Sequence, residues 1–313
     1  MTNLTETKIL IICGPTASGK SDLALRLAKI LDAEIVNADS MQVYRQLDVG
    51  TAKPSTVQQA EISHHLIDVI DPDQPFSAAD FSFAADAAIR DIVSRGKRVV
   101  VVGGTGLYIR ALVNGLVDSP SGEGELRQAL QEEAKTVGNL AMLEQLRLVD
   151  PELACTLHPN NLVRIIRALE VYRLTGIPLS RYQSAHAFVE KRYRTLQIGI
   201  SVERTLLYRR IEERVELMLA AGLMEEVRGL LSAGFGRDLK SMRSIGYKES
   251  VAHLCGELSA EDAISLIKRN TRHYAKRQLT WFKADPDILW FEYPEKFGNM
   301  AEYAIEFFED REG

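Results

Sequence analysis

Cysteine is scarce in this chain: Cys13, Cys155 and Cys255 lie far apart with no C-x-x-C spacing. Neither a disulfide framework nor a zinc site is indicated, and three small core residues are expected. Long apolar runs are missing as well, none approaching the roughly 18 residues that cross a bilayer. The polar start MTNLTETK has neither the charged nor the apolar region of a signal peptide. Together these absences place the chain in the cytoplasm with no membrane partner. The histidines form no ligand pair; His64 and His65 are adjacent, so their side chains diverge and a satisfied core or loop role is expected. Internal repeats and low-complexity tracts are absent too. A positive excess, the mark of a generic nucleic-acid binder, is also lacking: the net charge is −5.

What is present is the composition of an ordinary soluble globular protein, 46% hydrophobic and 26% charged over 313 residues. That length suits about two domains or one enlarged one. The average charge hides a segregation. Residues 191 to 283 carry 18 Lys+Arg against 11 Asp+Glu, net +7, whereas residues 284 to 313 carry 2 against 9, net −7. The late-middle segment therefore has a bias that suits a polyanion, although solvated helix faces would look the same.

Short apolar strands alternate with amphipathic helices in the first third. KILIIC (8 to 13), AEIVNA (33 to 38), HLIDVI (65 to 70) and KRVVVV (97 to 102) read as strands, the last buried on both faces. SDLALRLAKIL has helical apolar spacing at Leu23, Leu27 and Ile30, and SAADFSFAADAAIRDIVSRG reads as a helix ending at Gly96. The pattern predicts an α/β fold with a parallel sheet covered on both sides. After Gly115 the texture changes: DSPSGEGE (118 to 125) is linker-like, residues 125 to 190 are helical in pattern, and TLQIGIS (195 to 201) returns to the sheet. The expected organisation is a catalytic domain of residues 1–118 and 192–313 interrupted by a helical insertion of residues 119–191. Helices follow over 203 to 221 and 223 to 233, and one opens at Ser259 with Asp262 three residues on.

GPTASGKS, residues 14 to 21, matches G-x-x-x-x-G-K-[ST] between a strand and a helix. This loop type binds the phosphates of nucleotides such as ATP, and here comprises Gly14, Pro15, Thr16, Ala17, Ser18, Gly19, Lys20 and Ser21. Gly14 and Gly19 let the backbone approach an anion. Lys20 would neutralise phosphate oxygens, Thr16 would offer them a hydroxyl, and Ser21 would hold Mg2+ directly or through water. P-loop enzymes usually place an acid at the end of a buried strand. RVVVV runs instead into Gly103-Gly104-Thr105-Gly106. An acid does follow the second strand: Asp39, in EIVNADSMQVY, is expected to face the loop's crevice as a metal ligand or a general base, or else to cap a turn with Ser40. The glycines of GGTGLY permit another molecule to approach the backbone, or simply make a tight turn.

Taken together, GPTASGKS, NADSMQVYRQLDVGTAKPS, HHLIDVIDPDQPFSAADF, VVGGTGLYIRAL, HPNNLVRIIRALEVY, SIGYKE and KRQLTWFK resemble, in collinear order over almost the whole chain, the bacterial tRNA dimethylallyltransferase (tRNA isopentenyltransferase) family. The resemblance implies a P-loop NTPase-like sheet with an inserted helical subdomain. It also implies transfer of a dimethylallyl group from dimethylallyl diphosphate to the exocyclic amino group of the adenine 3′-adjacent to the tRNA anticodon, with Mg2+ and release of diphosphate. The loop then steadies a leaving group, and the carbon moves. Asp39 becomes the base that takes the amino proton as the C–N bond forms; Thr16, Lys20 and Arg214 serve the diphosphate, with Arg210, one turn earlier, the alternative; Thr105 and Gln42 help hold the adenine, which must be extruded from its stack.

The same resemblance implies tRNA contacts from Ser40 and Met41; from Val163, Arg164, Ile165, Ile166 and Arg167 of the insertion, with Arg127; from Met242, Arg243, Ser244, Ile245, Gly246 and Tyr247; and from Lys276, Arg277, Gln278, Trp281 and Lys283. In the helix from Ser259, Lys268, Arg272 and Lys276 recur at i, i+4, i+8 beside Arg269, His273 and Arg277, predicting one broad cationic face. Trp281 and Tyr274 could stack on bases or pack inward, and packing is the expectation. A monomer is expected. A prenyltransferase acting on free AMP or ADP would need neither the insertion nor the basic helix; a P-loop small-molecule kinase would phosphorylate its substrate from ATP.

Overall fold

The computed structural model describes residues 4–116, 124–186 and 191–309. It divides into two compact units, Met1–Val113 with Lys191–Gly313, and Asn114–Glu190. The linker-like stretch 118–125 and the expected boundary at 118, apart from residues 124 and 125, lie outside the described residues. Among the described residues no helix is long and apolar enough to cross a membrane.

The chain runs β1 (Lys8–Cys13), α1 (Lys20–Leu31), β2 (Ala33–Asn37), α2 (Thr56–Glu61), β3 (His64–His65), α3 (Ala78–Ser94), β4 (Arg98–Gly103) and α4 (Gly106–Asn114). The second unit holds α5 (Glu125–Val149), α6 (Pro151–Ala154), α7 (Leu162–Thr175) and α8 (Leu179–His186). The first unit resumes with β5 (Arg194–Ser201), α9 (Arg204–Ala220), α10 (Leu223–Ser232), α11 (Tyr247–Leu254), α12 (Ala260–Lys283), β6 (Ile288–Glu292) and α13 (Phe297–Glu309).

Six strands form one parallel sheet in the order β3-β2-β4-β1-β5-β6. Strand side chains alternate between faces, and here both faces are covered. Ile9, Ile11 and Cys13 of β1 enter one core with Val99 and Val101 of β4; Leu10 and Ile12 enter the other with Val100, Ile198 and the inner side of α1. Continuous apolar strands are the consequence. In α1 the inward residues are Leu23, Ala24, Leu27, Ala28 and Leu31. Ile30, expected among them, is 49% exposed, because its position falls outside the stripe that Leu27 and Leu31 define.

Two further expectations are corrected. The strand predicted over 65 to 70 is only His64–His65, paired with Ile35 and Val36. Leu66 and Asp68 turn into the left-handed region (φ 63 and 56), so the chain leaves the sheet, and Ile70 instead makes an isolated parallel bridge to Tyr44 outside it. Of the cysteines, Cys13 alone is buried; Cys155 and Cys255 are exposed. The histidine pair is satisfied locally: His64 Nδ1 lies 2.7 Å from the Ile62 carbonyl, and His65 Nε2 lies 2.7 Å from Glu34 Oε2.

In the second unit Leu130, Leu143, Leu146, Ile165, Ile166 and Leu169 share a core. Ile165 and Ile166 are therefore core residues whose side chains are unavailable to RNA, while Val163 and Arg164 are exposed on the same helix. Arg127 and Arg167 both donate to Oε2 of the fully buried Glu170, at 2.7 and 2.8 Å. A buried carboxylate needs such partners, so these two arginines serve the unit's interior rather than standing ready for a ligand.

Glu34 of β2 accepts hydrogen bonds from Arg95, which closes α3, and from His65. Arg95 first, against the opposing effect of burial, and then His65 hold its carboxyl down from 4.5 to about 2. A carboxyl depressed in the folded state adds stability above its unfolded value that is lost as pH falls through the folded one. Glu34→Gln is therefore expected to lower stability at neutral pH and to flatten its pH dependence between 4.5 and about 2, measured by urea unfolding across that window.

Candidate functional site

The phosphate loop follows from local sequence. After Cys13 the backbone takes φ 149 at Gly14, where a Cβ would press on Ser18 Oγ at 3.2 Å and on the Ile200 backbone at 3.5 Å. Gly19, at φ 98, begins α1 with no side-chain cap, leaving the positive end of the helix dipole open to an anion. Ser18 is fully buried and its hydroxyl has no partner among the described residues. Ser21 stands exposed in the first helical turn. Lys20 Nζ donates to the loop's own Pro15 carbonyl at 3.1 Å.

Beside the loop, the ends of β2 and β4 are bound together. Ala38 N–H donates to Val102 O at 2.7 Å, and Thr105 N–H donates back to Ala38 O at 3.3 Å. The approach is so close that a Cβ on Gly103 would lie 2.1 Å from Ala38 O. Thr105 Oγ1 accepts the Ser40 N–H at 3.0 Å, and Asp39 Oδ1 accepts the Met41 N–H at 2.8 Å. The acid thus caps its own turn with one oxygen, and it still lines a cleft of about 390 Å³ together with Thr16, Ser40, Met41, Arg214 and Tyr274. Arg214 and Met218 also line a neighbouring cleft of about 510 Å³ beside Lys53 and Leu217.

Charge in the first cleft is unbalanced. Burial, and then the Arg214 guanidinium, pull Lys20 down to about 8, with Asp39 acting in the opposite sense. Burial also lowers Arg214, again opposed by Asp39. The cleft is lined by Arg214, Arg243, Lys248 and Arg277 against the one carboxylate of Asp39, and with buried Lys20 within electrostatic reach it forms a place where an added anion relieves repulsion in a poorly solvated setting. Burial pushes the Cys13 thiol up to about 12, which keeps it protonated beside Lys20.

Several expected site residues have other tasks. Gln42 is buried and its Nε2 donates to the Thr51 and Ala52 carbonyls at 3.0 and 3.3 Å, so it props the GTAKP turn rather than facing an adenine. Thr105, with its hydroxyl accepting from Ser40, orients the Asp39 turn. Met242 and Tyr247 are fully buried; the Tyr247 hydroxyl donates to Glu226 Oε1 at 2.6 Å, and its ring fills the space against Gly50. The Met242 side chain is therefore unavailable to RNA, while Tyr247 borders the cleft together with Arg243, Ser244, Ile245 and Gly246. Gln278 is buried, its amide bonded to Thr16 N–H and to the Gly104 carbonyl. Trp281 packs inward, over Gly106 and against the Arg110 guanidinium, 4.9 Å from the ring centre. The glycines at 104 and 106 are thus filled by the chain's own α12, not by a second molecule. Tyr274, expected to pack inward, instead lines the cleft, where burial raises its hydroxyl to about 12.

Of the two candidate arginines on α9, Arg214 and not Arg210 lines the cleft, and Arg214 reaches Thr51 O at 3.4 Å; Glu213 lies 3.7 Å from Arg209. The cationic face of α12 is rotated from its expected line. Lys268 and Arg272 are drawn to Glu216 and Glu212 of α9. The exposed stripe is Arg269, His273, Lys276, Arg277 and Lys283. Sequence reading missed Glu226, which accepts the N–H groups of Asp48, Val49 and Gly50 at 2.9, 2.7 and 3.1 Å as well as the Tyr247 hydroxyl. A glutamate in the first turn of a helix carries no local sign of such a role.

The family model for IPP transferase matches residues 42–285, and that for isopentenyl transferase matches residues 7–74. The chain is 67% identical over 309 residues to tRNA dimethylallyltransferase 1 of Pelobacter propionicus, covering 99% of this chain and 100% of that one. It is 61% identical over 303 residues to tRNA dimethylallyltransferase 2 of Geotalea uraniireducens, covering 97% and 98%. Among solved structures, the tRNA isopentenylpyrophosphate transferase of Bacillus halodurans is similar with a TM-score of 0.72 and 39% identity, covering 97% of this chain and 98% of that one. A eukaryotic dimethylallyltransferase acting on tRNA is similar with a TM-score of 0.82 and 30% identity, covering 98% and 81%.

Four donors converge on Glu226, so Glu226→Gln removes one acceptor and turns an amide N–H toward the rest. The expected cost is about 2 kcal/mol of folding stability, read by urea unfolding, with Tyr247→Phe costing less because it deletes a single donor.

Proposed function

The chain belongs to the IPP transferase family, and we propose that this prenyltransferase moves a dimethylallyl group from dimethylallyl diphosphate to the exocyclic amino nitrogen of the adenine 3′-adjacent to the tRNA anticodon. The observation that carries this reading is one cleft that joins the Asp39 carboxylate to Thr16 of the phosphate loop and to Arg214, within electrostatic reach of Lys20. Such a site holds an anion at one end and a proton acceptor at the other.

The allylic carbon becomes electrophilic as its C–O bond breaks, and the electron pair goes to the diphosphate oxygen. Lys20, Arg214, the Thr16 hydroxyl and the uncapped start of α1 stabilise charge that grows there. The adenine amine is a weak nucleophile because its lone pair is delocalised into the ring. Asp39 takes its proton as the new C–N bond forms. Thr105 and Ser40 keep the Asp39 turn in place for that transfer.

Magnesium fits this donor set. Among the described residues no cluster of three or more His, Cys, Asp or Glu could cage a metal, so an ion would take oxygen from the exposed Ser21 hydroxyl and from the diphosphate, the hard ligands that Mg2+ prefers. Bound there, it would supply further neutralisation of the leaving group.

For tRNA, the exposed residues Lys276, Arg277 and Lys283 of α12, with Arg269 and His273, offer phosphate contacts, and Arg243 opens onto the cleft. Residues Asn114–Glu190 serve as a helical insertion domain that contacts tRNA, with Val163 and Arg164 its exposed candidates. The anticodon loop suits such an enzyme because its bases are already partly unstacked and extrude at lower cost than those of a duplex.

The deciding assay incubates the protein with Mg2+, dimethylallyl diphosphate and unmodified tRNA, then digests the RNA and weighs the nucleosides. A gain of one C5 unit on adenosine is expected. Phosphorylated product formed from ATP without that gain would overturn the proposal. Asp39→Ala is expected to slow transfer by about 10²–10⁴-fold, the usual contribution of a general base, while tRNA affinity measured by filter binding stays near that of the parent.

A further inference from the structure

We infer that Gln278 is a positioning residue, which holds the phosphate loop in register with the end of β4 from the helix whose outer face is exposed and cationic. This inference rests on the reading of the loop as a diphosphate site.

Gln278 lies on the inner side of α12 with Ala275 and Phe282, opposite Lys276 and Arg277, and is only 6% exposed. Both ends of its amide are engaged. Oε1 accepts the Thr16 N–H at 2.8 Å, and Nε2 donates to the Gly104 carbonyl at 2.8 Å. The bonds span 262 and 174 residues of sequence, so one side chain ties α12 to the two turns that follow the paired strands β1 and β4. The two ends of the amide cannot be exchanged, since an N–H needs an oxygen opposite it and a carbonyl needs a donor. No other side chain of similar length supplies both: a glutamate would set a carboxylate against the Gly104 carbonyl, and an asparagine is one methylene short.

Gly104 supplies an independent observation. A Cβ there would lie 2.2 Å from Gln278 Nε2, so the absence of a side chain at 104 is what admits the amide. The Thr16 N–H is committed to Gln278 and not left open to phosphate; the bond instead fixes the backbone from which Thr16 meets the cleft. A residue that acts on the diphosphate through Thr16 differs from one that touches RNA, although both readings fit a place within KRQLTWFK.

The test compares the parent with Gln278→Met, which keeps length and volume but deletes both hydrogen bonds, and with Gly104→Ala, which displaces the amide while leaving Gln278 intact. Calorimetry with dimethylallyl diphosphate and Mg2+ in the absence of tRNA gives one affinity, filter binding of tRNA the other, and steady-state rates give KM for each substrate. Both variants are expected to weaken diphosphate binding and raise its KM roughly tenfold, as the loss of one or two hydrogen bonds allows, with tRNA affinity within about twofold of the parent, short of the loss expected of a direct base contact. Unchanged diphosphate affinity in Gln278→Met, or a loss confined to tRNA binding, would overturn the inference while leaving the proposed function standing. Failure of the parent protein itself to bind dimethylallyl diphosphate would overturn the functional reading and this inference with it.

Discussion

Two buried cations held close to one another at the edge of the cleft are the constraint on which the surrounding structure depends. Lys20 arrives from the start of α1 and Arg214 from the middle of α9, and the Asp39 carboxylate acts against the repulsion on both. Burial and mutual repulsion cost stability that folding must offset elsewhere. In return, an anion entering the cleft meets charge already in place and solvent already reduced, which is the condition under which fixed charges act most strongly on a leaving group.

Holding that arrangement requires rigid surroundings, and buried polar side chains provide them. Glu226 gathers three successive N–H groups of the 48–50 segment and the Tyr247 hydroxyl. Gln42 ties the next carbonyls, at Thr51 and Ala52, and Arg214 reaches the same Thr51 oxygen. Gln278 does the equivalent for the phosphate loop. Glu226 and Gln278 link backbone segments far apart in sequence, Gln42 links ones nine and ten residues apart, and in each the donors named meet an acceptor. The parallel sheet sets the frame: its strands all end on one side, so the turns after β1, β2 and β4 meet there.

Elements governed by short-range rules were legible from residues alone. β1 and β4 are unbroken apolar runs, α3 opens with a capping box at Ser77 and Asp80, and α12 opens with the Ser259 hydroxyl accepting the Asp262 N–H. The phosphate loop was legible because its glycines, lysine and serine sit between a strand and a helix. The strand over 65 to 70 was misread because its apolar residues pack inward from a loop, with Leu66 and Asp68 in left-handed conformations that hydrophobicity does not report. The basic stripe of α12 was misplaced by one step around the helix. Periodicity shows that a face exists, but the acids of α9 decided which cations it would surrender.

Sequence by itself determined the kinds of element, the phosphate loop and the family resemblance, because strand alternation, helix capping and glycine-dependent turns depend on neighbours within a few residues. Tertiary structure alone decided which polar side chains face the cleft and which hold it shut. That is why Gln42, Tyr247 and Gln278, all within motifs that looked like contact residues, became internal braces: a hydrogen-bonding group is committed by whichever partner the fold brings within about 3 Å, and those partners lie up to 262 residues away.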